Sequence, residues 1–565
     1  MKNNGVTILY KEISPQAKEN FTPASNESQF DTLAQLQKYN LAFPNYANPC
    51  ELYSVILDGK AQPFPIMPES ANLGLWSKQL SDDRGEFANP VVLTLTSDAQ
   101  YSSQGLTFTF DTHNKIYPRH INIHWYRNSI DLGEKDFYPD SAVYVCKNAV
   151  ENYNKIIITF TNLNMPQNRL KLRAVDYGYD IYLYGDELRS VKLIQELDPI
   201  SSEIVINTAD FTIDNQTDRK FLFQEKQPLS IYFNGKLKAT SFVTSYKRKT
   251  KNLYQIQSED YIGLLDGVIY YGDIYKDASI VDVLSDIFAV ANVPFEIDEN
   301  LSNKKITGHI PYGTCREALM QVAFAVQAVV DTSDSDVVKI YELDNDVKQK
   351  IDLDRIMQGQ NFTFEDTITG IEITAHSYDK TNEKVIAFNA SESGIEVGEN
   401  DVIIKFSDPL YDLKIGHLKQ ENDEERFVQN ITYGEIVSSG SNHAIIRVHR
   451  EGCALQGKKY KHNESIKCKN NPIVLANVLE KVITIKDATL IHSGNVDNVL
   501  EKCYNWLTKT NSTNLKIVER RSDTPISVGE KIEAATEYLG DVEGRIIKQS
   551  FNLNGGIIIK EAVLK

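Results

Sequence analysis

The sequence predicts a mainly β, multidomain protein with α+β parts, opening with a β-sandwich. Three observations lead there. Tyr (29) and Phe (23) far outnumber Met (5), and aromatic side chains favour the pleated, half-buried surface of strands. Short runs that alternate apolar with polar residues recur between Gly, Pro, Asn and Asp along most of the chain. Helical periodicity is confined to a few stretches. At about 150 residues per domain, 565 residues make roughly four domains.

Composition excludes several classes. Hydrophobic residues at 41% and charged residues at 24% are ordinary for a globular chain, not for a disordered or fibrous one. The net charge of −17, from 60 basic and 77 acidic residues, argues against wrapping or reading DNA, which needs Lys and Arg in excess. Met1–Tyr10 lacks the apolar core of a signal peptide, and polar Lys11–Asn26 follows at once. No apolar run approaches the ~20 residues of a membrane helix. The nearest, Met320–Val330, is broken by Gln321 and Gln327, so no membrane anchor is expected. Six scattered cysteines (Cys50, Cys146, Cys315, Cys453, Cys468, Cys503) read as reduced thiols of a protein assembled in cytoplasm.

Residues 1–45 are polar apart from Val6–Tyr10 and read as an arm that orders against a partner or a neighbouring domain. Leu52–Leu57 followed by Asp58-Gly59 is a strand and tight turn. Val91–Thr96, Leu106–Phe110, Ile121–Tyr126, Ala142–Cys146, Lys155–Phe160 and Leu170–Val175 are short alternating strands, the spacing of a sandwich over 46–180. Past Tyr177-Gly178 come Val191–Leu197, Glu203–Asn207, Leu229–Phe233 and Tyr254–Gln257, with Asn234-Gly235 as a hairpin turn, a β domain over 181–262.

The period then turns helical. Ser279 precedes Ile280, Val283, Leu284, Ile287 and Phe288, at i, i+3, i+4, i+7 and i+8. Thr314 and Glu317 make a capping box ahead of Leu319, Val322, Ala323 and Val326. Strand Val337–Tyr341 closes an α+β insertion over 263–345. Residues 346–470 return to β structure, clearest at Ile371/Ile373, Val402–Phe406 and Ala444–Val448, with charged Glu421–Arg426 as a loop tip. A C-terminal α+β domain over 471–565 holds helices Pro472–Val482, capped by Asn471, and Val496–Leu507, capped by Asn495. Its strands are Leu515–Glu519, Lys531–Ala534, Arg545–Phe551 and Ile557–Ala562, the last pair turned at Asn554-Gly555-Gly556.

Residues able to do chemistry form no catalytic pattern. His120 and His124 have the spacing of a helical zinc pair but alternate with Ile121, Ile123 and Trp125, so the segment is a strand. Four strand residues span about 13 Å, too far for one ion. His449, Cys453, His462 and Cys468 lack zinc-clip spacing and read as separate thiols and imidazoles. Asp331, Asp334 and Asp336 lack the glycine and terminal glutamate of an EF-hand and read as a solvated turn. Gly267–Gly272 has P-loop glycine spacing, but Asp273 stands where Lys belongs. No GxSxG elbow is present. Cys315 opens a helix beside Thr314 and reads as a packed thiol, not an activated one. A glycosidase carboxylate pair depends on three-dimensional separation and has no signature here. The expectation is therefore no enzyme, no cofactor and no metal. Trp76, Trp125 and Tyr126, with Tyr101 and Tyr117 expected in loops, form either a sugar-stacking platform or sandwich core and rim, with the core favoured.

Two stretches resemble structural proteins of phage tails from Gram-positive hosts. From about Leu52 to Tyr126, "LYSVILDG", "LWSKQLSDDRGEF", "SSQGLTFTFD" and "INIHWY" look like a discoidin-like, carbohydrate-binding-type sandwich of tail-tip and tail-fibre proteins. From about Leu193 to Lys565, "ITGHIPYGTCREALMQVAFAVQAVVDTSDSDVVKIY", "FSDPLYDL", "NNPIV" and "GRIIKQSFNLNGGIIIKEAVLK" look like the baseplate-hub or tail-associated family. The resemblance implies two β-barrel-like domains and an α+β insertion per protomer, and a homotrimer forming a pseudo-sixfold ring that closes the tail tube. It implies a place in the virion tail tip or baseplate, with distal-tail, tube and fibre proteins as partners. The sequence departs from the usual hub in placing a sandwich before the hub-like part and in ending soon after Gly555-Gly556, without a lysin or fibre extension. A peripheral baseplate protein built from the same modules is the alternative for position. The alternative function is receptor binding, in which the sandwich grips a host cell-wall polysaccharide. Loop residues Asp82, Asp83 and Arg84 would then bind sugar hydroxyls while Tyr101 stacks on a pyranose face.

Overall fold

Strand pairing organises more than half of the chain into a mainly β, multidomain fold. The computed structural model describes residues 5–37, 51–52, 73–215, 221, 223–357, 361–364, 366–393, 397–398, 401–421, 424–471, 481–509, 511–517, 526–538, 540–554 and 557–565. All but Leu52 of the strand and turn expected over Leu52–Gly59, the turn at Gly555-Gly556, Cys50 and most of the helix expected over Pro472–Val482 lie outside these residues. Val482 itself opens the strand Val482–Ile485. The described residues divide between two compact units.

One unit comprises Ile8–Leu183 and Thr217–Leu229. Its main sheet runs in the order Thr22–Ser25, Glu86–Thr109, Val143–Asn162, Ile121–Arg127, Ile130–Phe137. The strands expected at Val91–Thr96 and Leu106–Phe110 are a single strand, Glu86–Thr109, and Ala142–Cys146 and Lys155–Phe160 fall in Val143–Asn162. The polar stretch between the apolar halves stays paired because a β-ladder uses main-chain groups only. Register shifts between Thr96 and Gly105 mark bulges, and bulges bend a strand. Val91, Leu93 and Leu95 therefore reach the same core as Leu106 and Phe108. Trp125 and Phe160 lie in that core too.

Within the stretch read as an arm, Ser14 caps the short helix Pro15–Asn20. Ala17, Phe21 and Leu36 are buried in this same core, and Phe21 stacks on Tyr177 at 4.7 Å. A few apolar residues spaced through a polar stretch were too sparse to show periodicity.

A charged network is buried in this unit. Lys171, whose side chain is 1% exposed, lies 2.5 Å from Glu51 and 3.5 Å from Asp111, and Arg173 lies 3.2 Å from Asp111. Burial raises the Glu51 pKa despite Lys171. For Asp111 burial also pushes upward, but Lys171 and Arg173 overcome it and the net direction is down.

The other unit comprises Met1–Thr7, Tyr184–Gln216 and Ser230–Lys565. Its large sheet pairs Leu188–Glu196 with Gly540–Asn554, Val191 opposite Leu553 and Leu193 opposite Phe551. Chain segments more than three hundred residues apart are thereby neighbours. Asn234 and Gly235, at φ 49° and 79°, make the expected hairpin turn, since paired positive φ values match strand twist. The strand expected at Glu203–Asn207 does not form, and pairing begins at Thr208. Asp198 accepts from the amides of Ile200 and Glu203 at 3.1 Å. Such side-chain bonds divert backbone from a ladder.

The three longest helices among the described residues are Ile280–Ala291, Cys315–Val326 and Val496–Leu507, at the positions periodicity predicts. Their apolar faces meet Ile371 and Ile373 in one core. Thr314 Oγ1 accepts from the Glu317 amide at 3.1 Å and the Glu317 carboxylate accepts from the Thr314 amide at 2.8 Å, closing the capping box. Asn495 occupies the cap position of the last helix, but its side chain accepts from the His492 amide at 2.8 Å and not from the helix. A long ribbon pairs Gly370–Asn389 with Cys453–Asn470, which also pairs with Leu410–Glu421. Of the charged stretch expected as a loop tip, Glu421 ends one strand and Glu424–Arg426 open the next, Glu421 opposite Glu424. Beside it, Asp401–Lys405, His443–Val448 and Gly434–Ser439 form a small sheet.

Candidate functional site

The four residues put forward for saccharide binding fall into two places. Asp82, Asp83 and Arg84 lie in an exposed turn before Glu86–Thr109. Asp82 accepts from the amides of Arg84 and Glu86, both at 2.8 Å, and the Glu86 bond leads in holding its carboxyl below the ordinary range. Asp83 accepts from Gln167 at 2.6 Å. Two of the three side groups thus already serve the turn. Tyr101 is not in a loop. It lies in the strand, opposite Tyr153, half-buried against Phe21 at 5.5 Å, with its hydroxyl accepting from Asn20 at 2.5 Å. Glu86, at the turn, is opposite Asn162, so the strand separates the turn from the tyrosine.

Of the other aromatic candidates, Trp76 and Trp125 pack inward, Tyr117 is half-buried against the core, and Tyr126 is half-buried on the opposite face of its strand from Trp125. Trp76 and Trp125 are buried, and the Lys171 ammonium sits 4.7 Å from the Trp76 ring. Tyr126 bonds His124 at 2.9 Å. His124 lies within the strand Ile121–Arg127, as the alternation predicts, and His120 just before it, each with its own carboxylate, Asp131 at 2.7 Å and Asp136 at 2.8 Å.

Thiols offer no activated nucleophile among the described residues. Burial pushes Cys315 and Cys453 up to about 11 and Cys503 up to about 12. The helix start at Cys315 does not offset the loss of water. Cys468 is exposed, yet it too is raised, by partial desolvation and then by Glu372.

The turn Asp331–Asp336 departs from expectation. Asp331, Thr332, Ser333 and Ser335 are buried. Lys238 lies 3.1 Å from Asp334, and Ser527 donates to Asp334 at 2.5 Å. Asn207 donates to Thr332 at 2.8 Å, and Thr332 donates to buried Asp260 at 2.5 Å. Groups remote in sequence close over the turn and bond Thr332 and Asp334, so most of it is packed and only Asp336 is exposed.

The expected separation of His449, Cys453, His462 and Cys468 needs one change. Cys453 is buried in an apolar core and Cys468 is exposed, but His462 joins His376 and Glu464 within 4.8 Å. Sequence reasoning missed His376. The available signal was His462-x-Glu464 in an alternating strand, which puts both side chains on one face.

The surface of the ribbon region bears unusual apolar exposure. Ile431 is 76% exposed, and Ile403, Val437 and Val428 are exposed as well. These belong to the small sheet or the strands and turn beside it. No helix among the described residues is long and apolar enough to cross a membrane.

No family model matches the chain, and no curated protein matches it. Among solved structures it is similar to a tail protein from Neisseria meningitidis, with TM-score 0.41 and 11% identity, over 67% of this chain and 92% of that one. It is similar to the 43 kDa tail protein of prophage MuSo2 from Shewanella oneidensis, with TM-score 0.41 and 9% identity, over 67% and 92%. A prophage tail protein, gp18 from Listeria monocytogenes, gives TM-score 0.37 and 12% identity over 69% and 91%. Likeness at these levels assigns neither family nor function.

Proposed function

We propose that the chain is a structural, non-enzymatic component of a phage or phage-like tail tip, forming or attaching to the central hub that closes the tail tube. The observation that carries the reading is the exposed apolar surface around Ile403, Val428, Ile431 and Val437. Exposed branched apolar side chains on the strands and turn of this region suit a protein partner, because covering apolar area gains about 25 cal/mol per Å². The hub resemblance of Leu193–Lys565, the segment that carries these residues, supplies the partner class: further copies of the chain in a homotrimer, and neighbouring tail proteins. The acidic balance suits a ring through which DNA passes, since an acidic lining repels phosphate.

The test substitutes Ile403→Lys and Ile431→Lys in the full chain and measures incorporation into purified particles. Both positions are exposed, so folding by circular dichroism stays unchanged while incorporation falls at least tenfold, as expected for roughly 1.4 kcal/mol or more of lost contact. Full incorporation of both variants would remove this surface from the account. Hydrolysis of purified cell wall by the protein would contradict the non-enzymatic part.

A further inference from the structure

We propose that His376, His462 and Glu464 form a binding site for a divalent transition metal of the zinc class, with a fourth position open to water. The two strands of the long ribbon build it. His376 lies opposite Glu464 in the pairing register, and Tyr378 lies opposite His462. Residues two apart on a strand share a face, so all three side chains project to one side.

The ligand atoms are close to what a small tetrahedral ion needs. His376 Nδ1 lies 2.9 Å from His462 Nε2 and 3.8 Å from Glu464 Oε1, and His462 Nε2 lies 3.7 Å from the same oxygen. Metal bonds of about 2.0–2.2 Å at tetrahedral angles put ligand atoms roughly 3.3–3.5 Å apart. Opening the short edge and closing the long ones each takes about 0.4 Å, within the reach of side-chain torsions.

The surroundings orient the imidazoles. His376 Nε2 is 2.9 Å from the Lys486 carbonyl. A carbonyl only accepts, so Nε2 carries the hydrogen and the Nδ1 lone pair faces the cluster. A ligating histidine held by a backbone carbonyl on its far nitrogen is the usual outer-shell arrangement of a metal site. The His462 ring lies parallel to Tyr378, 4.6 Å away, and Tyr378 in turn meets His309 edge-on at 5.2 Å.

Access is open from one side. The His376 side chain is 2% exposed, but Glu464 is 58% and His462 40% exposed. An ion arrives from solvent, and water completes its shell. Two imidazoles and one carboxylate favour zinc, cobalt or nickel over calcium, which takes oxygen ligands. The competing explanation is a plain hydrogen bond from His462 Nε2–H to His376 Nδ1. It needs the opposite tautomer of His462, and the two differ in their response to metal.

The experiment titrates the full chain with Co²⁺ at pH 7.5 and follows the visible ligand-field absorption of a low-coordinate site, then adds Zn²⁺ to displace it. The expected result is a saturable band at one ion per chain, abolished by zinc. His462→Ala and Glu464→Gln, both at exposed side chains and checked by unchanged circular dichroism, weaken binding about tenfold or more, the scale of losing a metal-site contact. Cys468→Ser leaves it unchanged. No saturable absorption, or binding lost in Cys468→Ser and kept in His462→Ala, overturns the proposal.

Discussion

Asp260 shows how one buried carboxyl sets a pH response. It caps Tyr261–Asp266 through the Ile262 amide at 3.0 Å and accepts from Thr332. Burial pushes its pKa up to about 7 from an ordinary 3.8, against the lowering effect of those hydrogen bonds. Between these values the folded chain keeps a proton that the unfolded chain has released. Its contribution to stability is therefore full below about pH 4 and is lost as pH rises towards 7. Asp260→Asn should remove that slope, read as urea midpoints at several pH values for both proteins. Parallel midpoint curves would contradict it. Lys171 makes the complementary case. Lys171→Met leaves the buried Glu51 carboxylate without its ammonium at 2.5 Å, and breaking one side of such a buried pair costs about 3–5 kcal/mol. Urea denaturation measures it, and a loss under about 1 kcal/mol would mean the pair is well solvated.

At the scale of elements, the Thr314 helix offers two graded substitutions. Thr314→Ala removes the accepting oxygen of the capping box and should cost about 1 kcal/mol. Leu319 is fully buried, and Leu319→Ala should cost about 2–5 kcal/mol. Equal and negligible changes in denaturation midpoint would show that this helix is not packed. A third substitution tests the N-terminal segment. Gly178 sits at φ 132°, and a Cβ there would lie 1.5 Å from the Glu12 carbonyl oxygen. Gly178→Ala should cost roughly 2 kcal/mol or more through strain and lost pairing. The amides of Glu12 and Ser14, which bond Tyr179 and Tyr177, would then exchange faster with solvent. Unchanged exchange at both would refute the pinning.

The three helices Ile280–Ala291, Cys315–Val326 and Val496–Leu507 were legible because a 3.6-residue period and a capping pair are local, whereas the short helices Pro15–Asn20 and Tyr261–Asp266 were not. Faces of strands were legible too, as at His120–Trp125. Partners were not. Nothing near Asp331–Asp336 announces Lys238 or Ser527, which lie 96 and 193 positions from Asp334. The polar centres of the long strands look like loops until the pairing partner supplies the ladder. His376 and His462 are 86 positions apart, and only register brings them together. Tyr101 was read as a loop residue because its neighbours are polar, and polarity alone does not distinguish a loop from a solvated strand face.

For the whole molecule, the account rests on association. A chain with net charge −17 repels itself at long range, so a stable ring needs apolar contact to outweigh that repulsion. The most direct measurement is electron microscopy of purified particles in which this chain carries a visible tag. The account predicts tag density at the end of the tail, in three copies around its axis. Particles that are complete and infectious without the chain, or tag density placed away from the tail end, would contradict it.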